Sequence, residues 1–277
     1  MRVERMKSLR YYVADVFTDH LFGGNPAGVC LLDEWPDDGL LQSIASENNL
    51  SETAFLVKNG DFYDLRWFTP ALEIDLCGHA TMGGAYILFE FVEQGAAELR
   101  FQTRSGLLTV RKGGDGLLWM DFPSRPASPA PNYPCLSEAL GTDNFSAYKS
   151  ADILAVLENE DAVRNAAPDF AKMNRLEQEA EMPDASFGVI VTAQASANSD
   201  CDFVSRYFAP NMGINEDPVT GRAHCVLIPY WARRLGKTKL TARQLSGRGG
   251  RLWCEDADDR VKIGGTAKLY LTGEIHV

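Results

Sequence analysis

Three ionisable side chains have neighbours that suit proton transfer. Glu52 lies beside Ala54 and Phe55, which can exclude water from its carboxyl, as a general acid or base working at neutral pH requires. His79 falls in the first turn of a predicted helix, whose N-terminus favours a neutral imidazole. Asp217 precedes a second predicted helix. On residue type alone, each has a structural alternative, namely a surface glutamate, a packed histidine and a helix-capping aspartate.

Two helices must position these side chains. Residues 78–94 are apolar on nearly all sides, and such a helix has to be buried on all sides, which predicts a helix enclosed by sheet. A second helix is predicted from about residue 221 to 235, with Pro229 expected to kink it. The free N–H groups at the two helix starts, Gly78 and Gly221, favour a carboxylate-bearing ligand.

The segments before the two helices form an internal repeat. RWFTP at residues 66–70 recurs as RYFAP 140 residues later, and Cys77 falls on Asp217 at the same offset. After a short shift, GHA at 78–80 meets GRA at 221–223. Chance similarity is the alternative, but the repeat predicts two pseudo-repeated half-domains related by a pseudo-two-fold, with a site between them.

The proline-rich stretch at residues 124–134 predicts a linker near the middle of the chain. We therefore expect an N-terminal half-domain, 1–124, and a C-terminal half-domain, 125–277, with a last strand that can return to the first half.

The composition and net charge of the chain argue against several classes of partner and site. The chain has 277 residues and a formal net charge of −11, which argues against nucleic acid and anionic membrane surfaces as partners. The six cysteines are scattered and the four histidines show no metal-ligand spacing, so neither a disulfide scaffold nor a metal site is predicted. No apolar stretch is long enough to span a bilayer, and we expect a soluble cytoplasmic protein.

Five motifs together resemble one known family, the PhzF-like isomerases of phenazine biosynthesis. They are GNPAG at 24–28, NLSETAF at 49–55, LCGHAT at 76–81, EDPVTG at 216–221 and SGRGG at 246–250. The resemblance implies a diaminopimelate-epimerase-like α+β fold, in which each half-domain is a mixed, barrel-like sheet wrapped around a central α-helix. It also implies a homodimer and catalysis without a cofactor.

The resemblance assigns roles to individual residues. It implies that Glu52 is the catalytic acid/base and that His79 and Asp217 assist it. The substrate contacts that it implies are Asn25, Gly78, Ala80, Gly221 and Arg222. Arg222 departs from the family, which has a serine there; an arginine could bind a second carboxylate, fill part of the pocket or turn to solvent.

The leading function is a cofactor-independent isomerase that shifts a proton within a small carboxylate-bearing substrate bound between the halves. One alternative is an epimerase or dehydratase of a small amino or hydroxy acid on the same fold. A two-thiol racemase is disfavoured, because Asp217 stands where the partner of Cys77 would be. The other alternative is a non-catalytic small-molecule or protein-binding member in which Arg222 blocks the pocket.

Overall fold

The computed structural model describes residues 8–182 and 187–277, and these form two compact units. The first unit contains the described residues up to Asp121 together with Gly264–Val277. The second contains the described residues of Phe122–Ile263. The division lies a few residues before the predicted boundary at 124/125, and the last strand is in the first unit.

Mixed β-sheets make up most of both units. The strands are β1 (Ser8–Val16), β2 (Asn25–Leu32), β3 (Glu52–Asn59), β4 (Phe62–Phe68), β5 (Glu73–Ile74), β6 (Glu98–Thr103), β7 (Gly106–Lys112), β8 (Leu118–Pro123), β9 (Ser128–Pro129), β10 (Phe145–Lys149), β11 (Ile153–Leu157), β12 (Val189–Gln194), β13 (Phe203–Ala209), β14 (Ile214–Asp217), β15 (Lys239–Gln244), β16 (Gly250–Ala257), β17 (Arg260–Gly265) and β18 (Ala267–His276). The α-helices are α1 (Asp38–Asn48), α2 (Gly78–Phe91), α3 (Pro134–Leu140), α4 (Glu160–Arg164), α5 (Phe170–Met173), α6 (Leu176–Glu179) and α7 (Gly221–Leu235), with a 3₁₀ turn at Pro210–Met212.

The strand pairing explains why both sheets are mixed. In the first unit the strands pair in the order β18-β1-β2-β3-β4-β6-β7-β8, and only β2/β3 and β4/β6 are parallel. In the second unit the order is β9-β10-β11-β12-β13-β15-β16, and only β11/β12 and β13/β15 are parallel. Short strands extend each sheet, β5 on β4 and β14 on β13. The protein is therefore α+β with mixed sheets.

Helix α2 is buried along most of its length. It packs against β1, β2, β3 and β18, and ten of its fourteen residues are buried. This agrees with its apolar composition, because a helix without a polar face has no side to turn to water. This packing fixes the position of Gly78, the first residue of the helix.

Helix α7 continues through Pro229, and this proline anchors the segment that we predicted to be a linker. Proline has no N–H group, so the Cys225 carbonyl lacks its helical donor. The Arg125 N–H donates to that carbonyl instead, at 2.9 Å. The Ala130 N–H likewise bonds the Ala147 carbonyl, at 3.0 Å. These backbone bonds make the predicted linker segment part of the second unit, which begins at Phe122.

The charged stretch at residues 168–181, whose pattern predicts one helix, forms two short helices, α5 and α6. Asp169 caps α5 by accepting hydrogen bonds from two backbone N–H groups, and α6 begins anew after Asn174 and Arg175. Helix α3 was not predicted, although Pro134 at its start and Gly141 in the left-handed conformation at its end are typical helix boundaries. Among the described helices, none is long and apolar enough to cross a bilayer.

His224 gives α7 a pH dependence that can be measured. It is fully buried, and burial lowers its pKa to about 4 although its Nδ1 lies 2.8 Å from the Thr220 carbonyl. The unfolded chain binds the proton more readily, so stability falls as the pH drops from about 6.5 towards 4, by up to ~1.4 kcal/mol per pH unit. We expect His224→Gln to flatten this dependence.

Urea unfolding of the wild type and His224→Gln between pH 7.5 and 5 checks the prediction. The difference in unfolding free energy must shift in favour of the variant as the pH falls. A difference that stays constant over this range would show that His224 does not titrate as its burial implies.

Candidate active site

Two neighbouring parallel strands, β2 and β3, begin at the same end of the sheet, and the predicted site residues of the first unit lie there. Asn25 is the first residue of β2 and Glu52 the first of β3, and Ala27 lies opposite Glu52. Gly24 turns the chain into β2 with a φ of +62°, and a Cβ there would collide with the Val16 carbonyl oxygen. Only glycine fits this turn, so the backbone itself fixes where Asn25 begins.

The His79 imidazole is the centre of a buried cluster. Its Nε2 atom lies 3.1 Å from Glu52 Oε2, and the two side chains are only 6% and 10% exposed. Its Nδ1 atom lies 3.3 Å from the Nδ2 atom of the fully buried Asn25 and 3.5 Å from Cys77 Sγ. The structure thus brings together two of the three predicted catalytic residues and gives Asn25, predicted to bind substrate, a contact with His79.

The charges in this cluster differ from those predicted. Burial lowers the pKa of His79, but Cys77 and the Glu52 carboxylate raise it, and the net pKa lies well above the usual value. The pKa shift is thus opposite in direction to that predicted from the helix N-terminus, because Cys77 and the Glu52 carboxylate, whose Oε2 lies 3.1 Å from Nε2, outweigh burial. Burial, reinforced by Glu52, raises the pKa of the Cys77 thiol, and His79 opposes this effect.

Two atoms of the cluster retain hydrogen-bonding capacity. Glu52 Oε2 and His79 Nε2 are buried, and within the described residues neither makes a hydrogen bond of good geometry despite their short separation. Cys77 precedes α2 and makes no side-chain cap of good hydrogen-bond geometry, although its thiol lies close enough to the Ala80 N–H for that group to lower the thiol pKa. The arrangement offers a proton acceptor, a proton donor and a helix N-terminus that favours an anion.

The same cluster has the composition of a soft metal site. Glu52, Cys77 and His79 each offer one ligand atom, and the three atoms lie within 4.8 Å of one another. Carboxylate, thiolate and imidazole suit Zn²⁺. Sequence spacing could not indicate this set, because Glu52 lies on a different element. A bound metal would use the atoms that proton transfer requires.

The contact between Asn25 and Nδ1 of His79 predicts that Asn25 positions the imidazole. An amide can accept from the imidazolium or donate to the neutral ring, so Asn25 can hold His79 in either charge state. We expect Asn25→Ala to lower turnover about tenfold, which corresponds to the loss of one hydrogen bond of roughly 1 kcal/mol. Asn25→Asp should move the alkaline limb of the pH profile to higher pH, because the added carboxylate favours the imidazolium.

The pH–rate profiles of both variants check this prediction. Asn59→Ala, an exposed asparagine of the same unit, serves as control and should behave as the wild type. Unaltered turnover and pH profiles in both Asn25 variants would contradict the positioning role.

In the second unit, Asp217 is held in front of α7. It is the last residue of β14, and Thr220 Oγ1 donates to its Oδ2 atom at 2.5 Å. Gln244 Nε2 donates to the Asp217 carbonyl at 2.7 Å, and Gln244 Oε1 accepts from the Thr220 N–H at 2.9 Å. Sequence reasoning missed Gln244, whose one indication is its place just before the SGRGG motif.

The helix starts also correct the proposed repeat register. Cys77 directly precedes α2, whereas Thr220 directly precedes α7. Counted from the helices, Cys77 therefore corresponds to Thr220 and not to Asp217, because the loop before α7 is longer. In either register, the residue that corresponds to Cys77 is not a thiol.

Arg222 is paired within the second unit. Its Nε atom donates to Asp152 Oδ2 at 3.0 Å, and its Nη2 atom donates to the Ala151 carbonyl at 3.1 Å. Asp152 is fully buried and also accepts from Tyr207 Oη at 3.1 Å and from the Gly188 N–H at 2.8 Å. The Arg222 side chain, 34% exposed, is thus fixed by a buried carboxylate and is not turned freely to solvent.

The small residues predicted to bind substrate offer backbone groups only. Ala80 is fully buried, and its N–H lies near the Cys77 thiol. Gly78 is partly exposed at the start of α2, and Gly221 is buried at the start of α7.

Comparisons with known proteins agree with the sequence motifs. A family model described as phenazine biosynthesis-like protein matches residues 14–273. A Pseudomonas aeruginosa protein named as an uncharacterized isomerase is 49% identical over 269 residues, covering 97% of this chain and 99% of its own. A crystal structure of a PhzF-family phenazine biosynthesis protein from Enterococcus faecalis superposes with a TM-score of 0.91 and 46% identity, covering 98% of this chain and 100% of its own.

A more distant structure shows the fold alone. It is a hydroxyproline epimerase from Agrobacterium vitis, with a TM-score of 0.61 and 11% identity, and the match covers 100% of this chain and 94% of that one. The resemblance inferred from the motifs is confirmed, and the fold is epimerase-like.

Proposed function

Because the chain belongs to the phenazine biosynthesis-like family, we propose that it is an isomerase that moves a proton within a small carboxylate-bearing molecule without a cofactor. The isomerase name of its relative supports the reaction type. The observation that carries the chemistry is the buried Glu52–His79 contact, in which both facing atoms retain hydrogen-bonding capacity.

The reaction begins with a carboxylate at the start of α2. The positive end of the helix dipole favours an anion there, and the Ala80 N–H, which lies near the Cys77 thiol, could turn to the ligand instead. The net charge of −11 does not oppose this binding, because a local helix terminus governs the contact. The substrate carbon that loses its proton then lies within reach of Glu52.

Glu52 acts as the base and then as the acid. Its carboxylate forms an O–H bond as the substrate C–H bond breaks, and the electron pair moves into the substrate's conjugated system. The reverse transfer to another carbon restores the carboxylate, so no electrons enter or leave. His79, whose pKa is raised by Cys77 and the carboxylate against the effect of burial, supplies positive charge beside the developing anion. Asp217 is the assisting acid of the second unit.

Deuterium transfer tests this function. Ligands are first found by thermal shift with a panel of small mono- and dicarboxylates, and those that stabilise the protein are incubated with it in D₂O. We expect a positional isomer by NMR, with deuterium at the carbon that receives the proton. Deuterium at a stereocentre with inversion would instead support the epimerase alternative, and stabilisation without exchange or product would support the non-catalytic one.

Treatment with a chelator tests whether turnover requires a metal ion. Dialysis against EDTA should leave turnover unchanged, because the proposed steps use only side chains of this protein. Added Zn²⁺ should inhibit, since it competes for Glu52, Cys77 and His79. Activity that is lost on chelation and restored by a divalent metal would contradict the proposal.

A further inference from the structure

A cavity of about 290 Å³ lies beside helix α7, entirely within the second unit. The proline-rich segment that the sequence singled out forms one wall with Pro126 and Pro129, and Pro229 of α7 contributes another. Tyr148 of β10 and Tyr230 of α7 add two aromatic rings to the lining. None of these residues belongs to the candidate active site.

Backbone hydrogen bonds hold the walls of this cavity in place. Tyr148 lies opposite Pro129 in the antiparallel pair of β9 and β10. The bond from the Arg125 N–H to the Cys225 carbonyl, which Pro229 leaves without its helical donor, ties the same segment to α7. The cavity is therefore a preformed part of the second unit.

The two tyrosine rings are anchored to each other and to the core. The ring centroids of Tyr148 and Tyr230 lie 5.1 Å apart in an edge-to-face arrangement, and Tyr230 also packs edge-on against Trp231, which is 1% exposed. Burial, reinforced by Tyr148 and opposed by Arg234, raises the pKa of Tyr230 to about 12, so its hydroxyl is neutral at neutral pH. Fixed tyrosine and proline rings favour a planar aromatic guest.

The charged side chains that line the cavity are both arginines. Arg233 and Arg234 are exposed in the last turn of α7, and neither forms an ion pair with any residue that the structure describes. Asp256 lines a neighbouring cavity together with Arg233 and offsets part of its charge, whereas Arg234 is not part of that cavity. In a chain with a net charge of −11, this local excess of positive charge favours an anion.

The volume and the lining together define a class of ligand. A cavity of about 290 Å³ lies at the lower end of the range of about 300–1,000 Å³ that small-molecule sites occupy, which suits a molecule of one or two rings. The planar guanidinium of an arginine matches a carboxylate, to which it can donate two parallel hydrogen bonds.

We propose that this cavity binds a small planar aromatic carboxylate. Its rings pack against Tyr148, Tyr230 and the prolines, and its carboxylate binds Arg234 with Arg233 alongside. This assignment does not depend on the proposed function, because it uses none of the residues of the candidate active site.

The first test uses 2-naphthoate, a two-ring carboxylate, in a titration followed by ligand-observed NMR. We expect a dissociation constant on the order of 0.1–1 mM for a ligand of this size held by few groups. 2-Naphthamide keeps the rings without the charge, and cyclohexanecarboxylate keeps the charge without the planar rings. Each should bind at least about tenfold more weakly. No binding of 2-naphthoate, or equal binding of either analogue, would overturn the proposal.

Substitutions at exposed or half-buried positions then locate the ligand. Arg234→Gln should weaken 2-naphthoate binding about tenfold or more, because a charge-assisted contact is lost. Tyr148→Ala should weaken it about three- to tenfold, whereas Tyr148→Phe, which keeps the ring, should bind within about twofold of the wild type. Arg243→Gln alters another exposed arginine of the second unit and should bind as the wild type does.

Two outcomes would contradict this assignment. Unchanged binding in both Arg234→Gln and Tyr148→Ala would show that 2-naphthoate binds elsewhere on the protein, the start of α2 included. An acidic, proline-rich heptapeptide that binds more tightly than 2-naphthoate, and loses affinity in the same two variants, would show that this surface takes a polypeptide and not a small molecule.

Discussion

Replacing Glu52 by glutamine is expected to lower turnover by about 10²–10⁴-fold, the usual contribution of a general acid/base. Glutamine has nearly the same shape and fits the same buried space, but its amide cannot accept the substrate proton. Ligand binding should change little, because the carboxylate of the ligand is proposed to bind at the start of α2. The loss should therefore appear in kcat and not in KM.

The measurement is single-turnover deuterium exchange on the ligand identified by thermal shift. Glu47→Gln, an exposed glutamate of α1 in the same unit, is the matched control and should retain full activity. A second readout is the His79 titration by NMR, because Glu52→Gln removes a charge that raises the pKa of His79. Exchange that persists in Glu52→Gln would exclude this residue as the base.

The largest effect on stability is expected at the Arg222–Asp152 pair. Arg222→Ser leaves the fully buried Asp152 carboxylate without its guanidinium partner, and breaking a buried ion pair in this way costs roughly 3–5 kcal/mol. We expect a value near the lower end, about 3 kcal/mol, since Arg222 is one-third exposed and water can replace part of its interaction.

A double-mutant cycle separates the charge from the packing. Asp152→Asn removes the buried charge, so Arg222→Ser should cost far less in that background than alone, as measured by urea unfolding. Arg243→Ser breaks an exposed pair with Asp200 and should change stability by only about 0–1 kcal/mol. Equal costs of Arg222→Ser in both backgrounds would show that the ion pair does not stabilise the second unit.

The parts of the fold that were predicted correctly depend on local patterns. Apolar runs predict strands at residues 9–15, 27–32, 53–57 and 63–68, where the structure has β1 to β4. The change to a helical period after Pro70 predicts the helix that is α2. The predicted charged helix was wrong because polar side chains can cap a backbone at several points, as Asp169 does before α5. Met173, Leu176 and Ala180 are all buried, and two short helices meet this apolar spacing as well as one continuous helix would.

The site residues that sequence reasoning missed are joined by contacts between distant parts of the chain. Asp152 pairs with Arg222 from seventy residues away, and Gln244 reaches back to Thr220 from another strand; of these, sequence reasoning named only Arg222. No spacing rule relates such positions. Glu52 and His79, by contrast, could be named together because family motifs surround both, although only the structure shows that the Glu52 carboxylate changes the expected charge of the imidazole.

The pairing of β1 with β18 has a consequence for how the protein folds. The first unit combines the described residues up to Asp121 with Gly264–Val277, whereas the second is formed from the residues between them. The second unit can therefore make its contacts within one continuous segment. The first unit needs the β1–β18 contact, whose very high sequence separation makes it slow to form.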